Sequence, residues 1–449
     1  LPPGASGGFD LSTSNVQFTT RPGGHLDGRL RVPGDKSISH RAIMLGALAE
    51  GVTQVRGFLE GADSLATLRA FRDLGVSIDG PDAGRVTVHG VGMHGLRAPA
   101  APLDLGNAGT SMRLMAGLMA GQRFATTLTG DASLSSRPMR RVIDPLTAMG
   151  ARIDSGAGGK APLRIQPSAG LRATRYEMPV ASAQVKSCLL LAGMYADGET
   201  CVTEPAPTRD HTERMLAGLG YPVRRDGSRV CLRGGGGLTA CDIDVPADIS
   251  SAAFFLVGAS IAEGSDLLLE HVGVNPTRDG VIRILRLMGA DIEVLDQREV
   301  GGEPVADLRV RSAPLKGIEI PAELVPLAID EFPVLFIAAA CADGRTVLSG
   351  AEELRVKESD RIQVMAEGLQ VLGVDARATR DGIVIRGGTI TGGEVDSHGD
   401  HRVAMAFAIA GLRANGPVII DDCANVDTSF PGFVESAAAV GCRVARNDG

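Results

Sequence analysis

The apolar positions of the chain fall into a unit written six times. A polar turn opens an Ala-rich apolar run of helical length, a glycine closes it, and a β-branched strand follows. The copies are DKSISHRAIMLGALAEGVTQV from Asp35, NAGTSMRLMAGLMAGQRFATTL from Asn107, SAQVKSCLLLAGMYADGETCV from Ser182, DISSAAFFLVGASIAEGSDLLL from Asp248, DEFPVLFIAAACADGRTVL from Asp330 and DHRVAMAFAIAGLRANGPVII from Asp400. Their closing glycines, Gly51, Gly121, Gly198, Gly264, Gly344 and Gly416, are 70, 77, 66, 80 and 72 residues apart. Between copies an amphipathic helix ends in a glycine and a short strand: LGVSI from Leu74, MGARI from Met149, LGYPV from Leu219, MGADI from Met288, LGVDA from Leu372 and VGCRV from Val440. Each repeat reads helix, strand, helix, then one or more strands, which predicts an α/β fold.

Six units divide into two halves of three. Val32–Gly51 (VPGDKSISHRAIMLGALAEG) aligns without gaps with Val245–Gly264 (VPADISSAAFFLVGASIAEG), 213 residues on. Both copies follow an alternating strand. Crossings between halves are therefore expected near residues 32 and 245, making a first domain of 33–245 and a second of 1–32 plus 246–449. Two short crossings make a natural hinge. A period this long disfavours an open solenoid, whose repeats run to about 20–50 residues.

Composition narrows the function. The chain has 449 residues, 44% hydrophobic and 22% charged, room for two or three domains. Its net charge of −8 argues against nucleic-acid binding by bulk electrostatics, so an anionic ligand must be held by local cations. Lys is sparse: 36, 160, 186, 316 and 357 are the five, against forty Arg. The seven Cys, at 188, 201, 231, 241, 341, 423 and 442, form no CxxC, and free thiols in a reducing compartment are expected. No stretch is long and apolar enough to span a membrane. Residues 1–25 read as a loose tail without the features of a secretory signal.

Cations stand where helix dipoles disfavour them. Lys36, Arg41, Arg113, Arg137, Lys186, Arg209, Lys357, Arg361 and Arg402 all lie at helix starts. A solvated or ion-paired surface residue accounts for any one of them. Nine at equivalent places point to anions shared between cations and helix N–H groups. Asp330-Glu331 opens FPVLFIAAA and reads equally as an N-cap or as a general base. Lys357-Glu358-Ser359-Asp360-Arg361 reads either as a charge lattice or as a combined anion-binding and proton-transfer cluster.

Other chemistries are excluded. Gly90–Gly95 (GVGMHG) matches GxGxxG, but LRAPAAP follows it and cannot open a helix. There is no P-loop and no GxSxG elbow. The eight His lack ligand spacing; His398 and His401 flank a Gly-Asp turn and would need distant partners to bind metal.

The fragments PGDKSISHR, LGNAGTSMR, GDASLSSRPM, SAQVKS, TRDHTE, IDEFP, RVKESDR, DHR and TSFPGF occur in this order. Together they resemble the 5-enolpyruvylshikimate-3-phosphate synthase family over about residues 26–440. The resemblance implies a two-domain inside-out α/β barrel, each domain three βαβαββ repeats around inward helices. It implies substrates bound as anions in the interdomain cleft. Lys36, Ser37 and Arg41 then match shikimate-3-phosphate contacts, Lys36 also reaching phosphoenolpyruvate. Ser182 and Gln184 match sugar-phosphate and ring contacts; Ala183 stands where many members have a second Ser. Arg209 matches an additional phosphate contact of one subgroup. Asn107, Gly109, Arg137, Arg361 and Arg402 match the phosphoenolpyruvate site. Asp330 matches the base on the 5-hydroxyl, with Lys357 and Glu358 flanking the reacting centre and Glu358 or Lys36 as proton donor. Thr428 stands where some members have Lys.

The implied reaction adds the 5-hydroxyl to C2 of phosphoenolpyruvate, protonates C3 and expels phosphate, with no metal or organic cofactor. A cytoplasmic monomer inhibited by glyphosate is expected. The related UDP-N-acetylglucosamine enolpyruvyl transferase usually carries a reactive Cys in the first half, and here none precedes Cys188. A non-catalytic anion binder gains nothing from Asp330 and Glu358 among so many cations.

Overall fold

The computed structural model describes residues 16–448. The apolar runs form helices that pack in two groups of three. Lys36–Leu48, Gly109–Ala120 and Ala183–Gly193 touch one another; so do Ile249–Ile261, Phe332–Cys341 and His401–Ala410. These helices are apolar on nearly every side, which forces them inside; every residue of Ile249–Ile261 is buried. The amphipathic helices, such as Ala62–Asp73 and Gly280–Leu287, lie outside them. The six glycines that end these outer helices have φ between +80° and +106°, a conformation open to glycine and strained for most other residues.

Around the buried helices lie six small sheets, one per repeat, and a two-stranded ribbon. Most combine a parallel pair with an antiparallel hairpin: Arg175–Glu177 runs parallel to Glu199–Thr203, which pairs antiparallel with Arg229–Arg233. The apolar core separates into two clusters. One holds residues from Ile38 to Val245; the other joins Val16–Val32 to Ala247–Val444. The two connecting segments run side by side: Asp35 N donates to Pro246 O (2.8 Å) and Asp248 N to Pro33 O (2.9 Å).

Three expectations change. Of the supposed loose tail, residues 1–15 lie outside the described residues, but Val16–Thr20 is a strand between Val418–Asp421 and Val444–Asp448. Its Val16, Phe18 and Thr20 are buried in alternation, a period-2 signal too short to stand out among the surrounding Ser, Thr and Gly. Cys201 and Cys231 face each other across neighbouring strands and form a disulfide, whereas the other five Cys are free. The 30-residue separation hid a pairing that only strand register creates. Two helices also begin later than their polar turns suggested, at Gly109 and Phe332.

Candidate active site

Lys36 is the first residue of its helix. Asp35 caps that helix by accepting from Ile38 N (2.8 Å), and Lys36 N donates to Asp248 Oδ2 (3.2 Å). The Lys36 ammonium points to Asp63, Nζ to Oδ2 3.1 Å. A cavity of about 160 Å³ opens beside it, lined by Lys36, Asp63, Asn107 and Ser133 from one half. Glu358, His398, Gly399, His401, Asn425 and Thr428 line it from the other. Asp63 escaped the sequence reading because an acid in a first helical turn is ordinary.

Asp330 lies in the turn before Phe332–Cys341, and Glu331, not Asp330, is the N-cap residue. Asp330 is therefore not spent on capping. Its carboxylate accepts from Arg209 Nη2 and lies 3.3 Å from Lys357 Nζ and 3.4 Å from Arg361 Nη1. Arg402 Nη1 donates to the Asp330 carbonyl (3.2 Å). Burial pushes this carboxyl up, yet Lys357, Arg209, Arg402 and Arg361 together hold it well below the usual carboxylate range.

Glu358 sits one turn before Arg361 and accepts from its Nη2 (2.6 Å). Arg137 Nη1 lies 3.9 Å away, and Arg137 Nη2 donates to Asn107 Oδ1 (2.5 Å). Burial raises the Glu358 carboxyl, but Arg361, Arg137 and Lys357 outweigh it and keep Glu358 ionised. Arg361 is 1% exposed and also donates to Asp400 Oδ2 (2.7 Å), the cap of the helix carrying His401 and Arg402. His401 is driven down to about 3 by burial and by Lys36, so it is a neutral imidazole against the cavity. The DHR motif singles out only Arg402 by role; the ion pair of Asp400 with Arg361 and the place of His401 on the cavity depend on which elements meet in space.

A second group continues from Gly109. A methyl built there would lie 3.1 Å from Arg137 Nη1 and 3.2 Å from Arg113 Nη1. Arg113 Nη1 donates to Gln184 Oε1 (2.6 Å), and Gln184 Nε2 to Thr110 Oγ1 (2.9 Å). Ser182 caps the helix in which Ala183 is the first residue. Arg41 reaches the same region, donating to Thr212 Oγ1 (2.7 Å), Ser187 Oγ (2.9 Å) and Ser37 O (2.9 Å). Burial lowers Arg41 and Arg113 to about 10, so both stay cationic at neutral pH.

Lys186 leaves the anion-binding set. Its ammonium is fully buried between Glu204 (3.0 Å) and Glu213 (2.7 Å), carboxylates distant in the chain that only the fold brings to it. Thr428 lines the cavity but supplies no charge, and its hydroxyl donates to Asn425 O (2.7 Å).

The arrangement, two ionised carboxylates ringed by Lys36, Arg137, Arg209, Lys357, Arg361 and Arg402, suits polyanionic substrates and proton transfer. The sequence profile of EPSP synthase (3-phosphoshikimate 1-carboxyvinyltransferase) matches residues 20–437. A 3-phosphoshikimate 1-carboxyvinyltransferase of Alkalilimnicola ehrlichii is 73% identical over 434 residues, 96% of this chain and 97% of the relative. Another, of Methylococcus capsulatus, is 70% identical over 431 residues, 96% of this chain and 99% of the relative. The solved EPSP synthase of Acinetobacter baumannii superposes with a TM-score of 0.89 at 57% identity, covering 96% of this chain and all of that one. The repeats, the cation-ringed carboxylates and these likenesses agree: the chain belongs to the EPSP synthase (3-phosphoshikimate 1-carboxyvinyltransferase) family.

Proposed function

We propose that the chain transfers the enolpyruvyl group of phosphoenolpyruvate to the 5-hydroxyl of shikimate-3-phosphate, releasing phosphate, the shikimate-pathway step of its family. The observation that carries this reading is the pair Asp330 and Glu358, ionised, joined through Arg361 and held by cations from both halves, with Glu358 on the wall of the cavity that Lys36 also lines.

We infer the residue roles from the family resemblance, and the cations around the two carboxylates support them. Asp330 accepts the 5-hydroxyl proton as the oxygen attacks C2. The ionised Glu358 has no proton to give in this state, which favours the Lys36 ammonium as the donor to C3. The adduct then returns a proton from its new methyl group to the neutral Lys36 amine and expels phosphate. Asn107, Arg137, Lys357, Arg361 and Arg402 hold the phosphoenolpyruvate anion through both steps. Ser37, Arg41, Ser182, Gln184 and Arg209 hold shikimate-3-phosphate, with Ala183 and Gly109 leaving room beside the ligands.

The architecture supporting this site is read as the inside-out two-domain barrel of βαβαββ repeats, with domains 33–245 and 1–32 plus 246–449. The division of the apolar core near residues 32 and 245 supports those boundaries. A cytoplasmic monomer inhibited by glyphosate completes the reading; no helix is long and apolar enough to cross a membrane among the described residues. The test is phosphate release from phosphoenolpyruvate with shikimate-3-phosphate, with UDP-N-acetylglucosamine, or with neither. Release only with the first supports the proposal; release with the second, or none, overturns it.

A further inference from the structure

Arg278 lies outside the cavity, in the turn Asn275–Asp279 that precedes Gly280–Leu287, and its side chain is 4% exposed. Its guanidinium reaches both segments that join the halves. Nη1 donates to Asp35 Oδ2 (2.5 Å), and Nη2 donates to Asp248 Oδ1 (3.2 Å) and to Ser250 Oγ (2.5 Å). Glu331 Oε1 lies 3.6 Å from Nη2 and accepts from the Ser250 hydroxyl. Three buried carboxylates from three segments thus converge on one cation.

Each of them also holds a piece of the site. Asp35 caps the helix that begins with Lys36, and Asp248 accepts from the Lys36 backbone N–H. Glu331 is bonded in the chain to Asp330. We propose that Arg278 is a positioning residue: it ties the two crossings to the turn of Asp330 and so fixes the proposed base relative to Lys36, also when the halves move about the hinge expected at the crossings. The proposal rests on the enolpyruvyl-transfer reading for its assay and concerns a residue that touches no substrate.

The physical case is that three carboxylates this close repel unless a cation lies among them. Without Arg278 the Asp35 and Asp248 caps separate, and Lys36 and Asp330 move apart. A misplacement of about 1 Å at reacting groups costs on the order of a hundredfold in rate. Lys cannot replace the fork, because one ammonium cannot reach three carboxylates arrayed around a planar guanidinium.

The experiment compares wild type with Arg278→Lys and Arg278→Gln. Folding is checked by circular dichroism, shikimate-3-phosphate binding by calorimetry, closure by solution scattering, and kcat and KM by phosphate release. The expected result is a folded Arg278→Lys enzyme that binds shikimate-3-phosphate within about threefold of wild type, while kcat falls about ten- to a hundredfold and ligand-induced compaction shrinks. Arg278→Gln shows the larger loss. If Arg278→Gln does not fold, Arg278→Lys alone decides. Wild-type kcat in a folded variant overturns the proposal, as does a kcat loss matched by lost binding and stability, which marks a structural role. An inactive wild type with intact binding fails the functional reading instead.

Discussion

Arg209 Nη2 donates to Asp330 Oδ2, so a guanidinium that precedes the helix His211–Gly218 of one half is ion-paired with the proposed base of the other. This ion pair joins the two halves and is also one of four cationic influences that keep Asp330 ionised. In the proposed function shikimate-3-phosphate brings its own phosphate to Arg209 and competes for that guanidinium. Arg209→Ala removes a cation from Asp330, so its carboxyl rises toward the ordinary range. The acid limb of kcat/KM should then move to higher pH, and KM for shikimate-3-phosphate should rise about tenfold for a lost charge-assisted contact. A pH–rate profile with an unmoved acid limb would separate Arg209 from the base.

Asp330→Asn keeps the shape of the site and removes the proton acceptor. Turnover should fall at least about a hundredfold, the usual contribution of a general base. Phosphoenolpyruvate binding should change much less, because its cations remain. Single-turnover rates and a binding titration check the split; normal turnover would refute the role of Asp330.

Buried His40 and His401 give the fold a pH dependence. Burial depresses both to about 3, with Lys36 adding to the effect. A folded value below the unfolded one means the unfolded chain binds more protons between about pH 6.5 and 3, so stability falls as pH drops through that window. The depressed Asp330, Glu358, Asp400 and Asp35 carboxyls act in the same direction below about pH 4–4.5. The urea midpoint should therefore decline between pH 7 and 5, before any carboxylate contributes. Imidazole resonances of His40 and His401 should remain neutral at pH 5; protonation of both above pH 5.5 would contradict this account.

Gly34 marks how closely the first crossing packs against the Gly57 backbone and, behind it, the second crossing. A Cβ there would lie 1.8 Å from Gly57 O and 3.2 Å from Val245 Cγ1. The oxygen belongs to backbone, so the crossing itself has to move. Gly34→Ala should destabilise the protein by about 1–3 kcal/mol or more and lower kcat by displacing Lys36 two residues on. Thermal melting alongside turnover checks both; an unchanged melting temperature would show that the crossing yields freely.

The repeats were legible because helix packing and strand alternation leave periodic apolar marks. The caps at Asp35, Ser182, Asp248 and Asp400 stand where the polar turns placed them. What escaped was pairing between distant positions. Lys36 with Asp63, Lys186 with Glu204 and Glu213, and Cys201 with Cys231 depend on which elements meet in space. Arg278 was invisible for the same reason: one Arg in the turn NPTRDG carries no signal until three carboxylates are found around it.

In the proposed site Gly109 sets the room available to an inhibitor that takes the place of phosphoenolpyruvate. Glyphosate is longer than phosphoenolpyruvate, and some family members with Ala at this position resist it. In this chain an added methyl would press on Arg137 Nη1 at 3.1 Å and Arg113 Nη1 at 3.2 Å, with Leu134 Cδ1 at 3.7 Å behind. Both close neighbours are ends of flexible side chains, so they yield by a few tenths of an ångström and the helix need not move. The displaced groups are, however, the guanidinium assigned to phosphoenolpyruvate and the one that holds Gln184. Phosphoenolpyruvate, being shorter, tolerates that shift better than glyphosate does. Overpacking of about 1–3 kcal/mol corresponds to roughly ten- to a hundredfold in binding. The wild-type enzyme is therefore expected to be sensitive. Gly109→Ala should raise the glyphosate inhibition constant by at least about tenfold while the Michaelis constant for phosphoenolpyruvate rises less. The ratio of the two constants, measured for both enzymes, decides the matter: an unchanged ratio would mean that Gly109 does not line the site both ligands share.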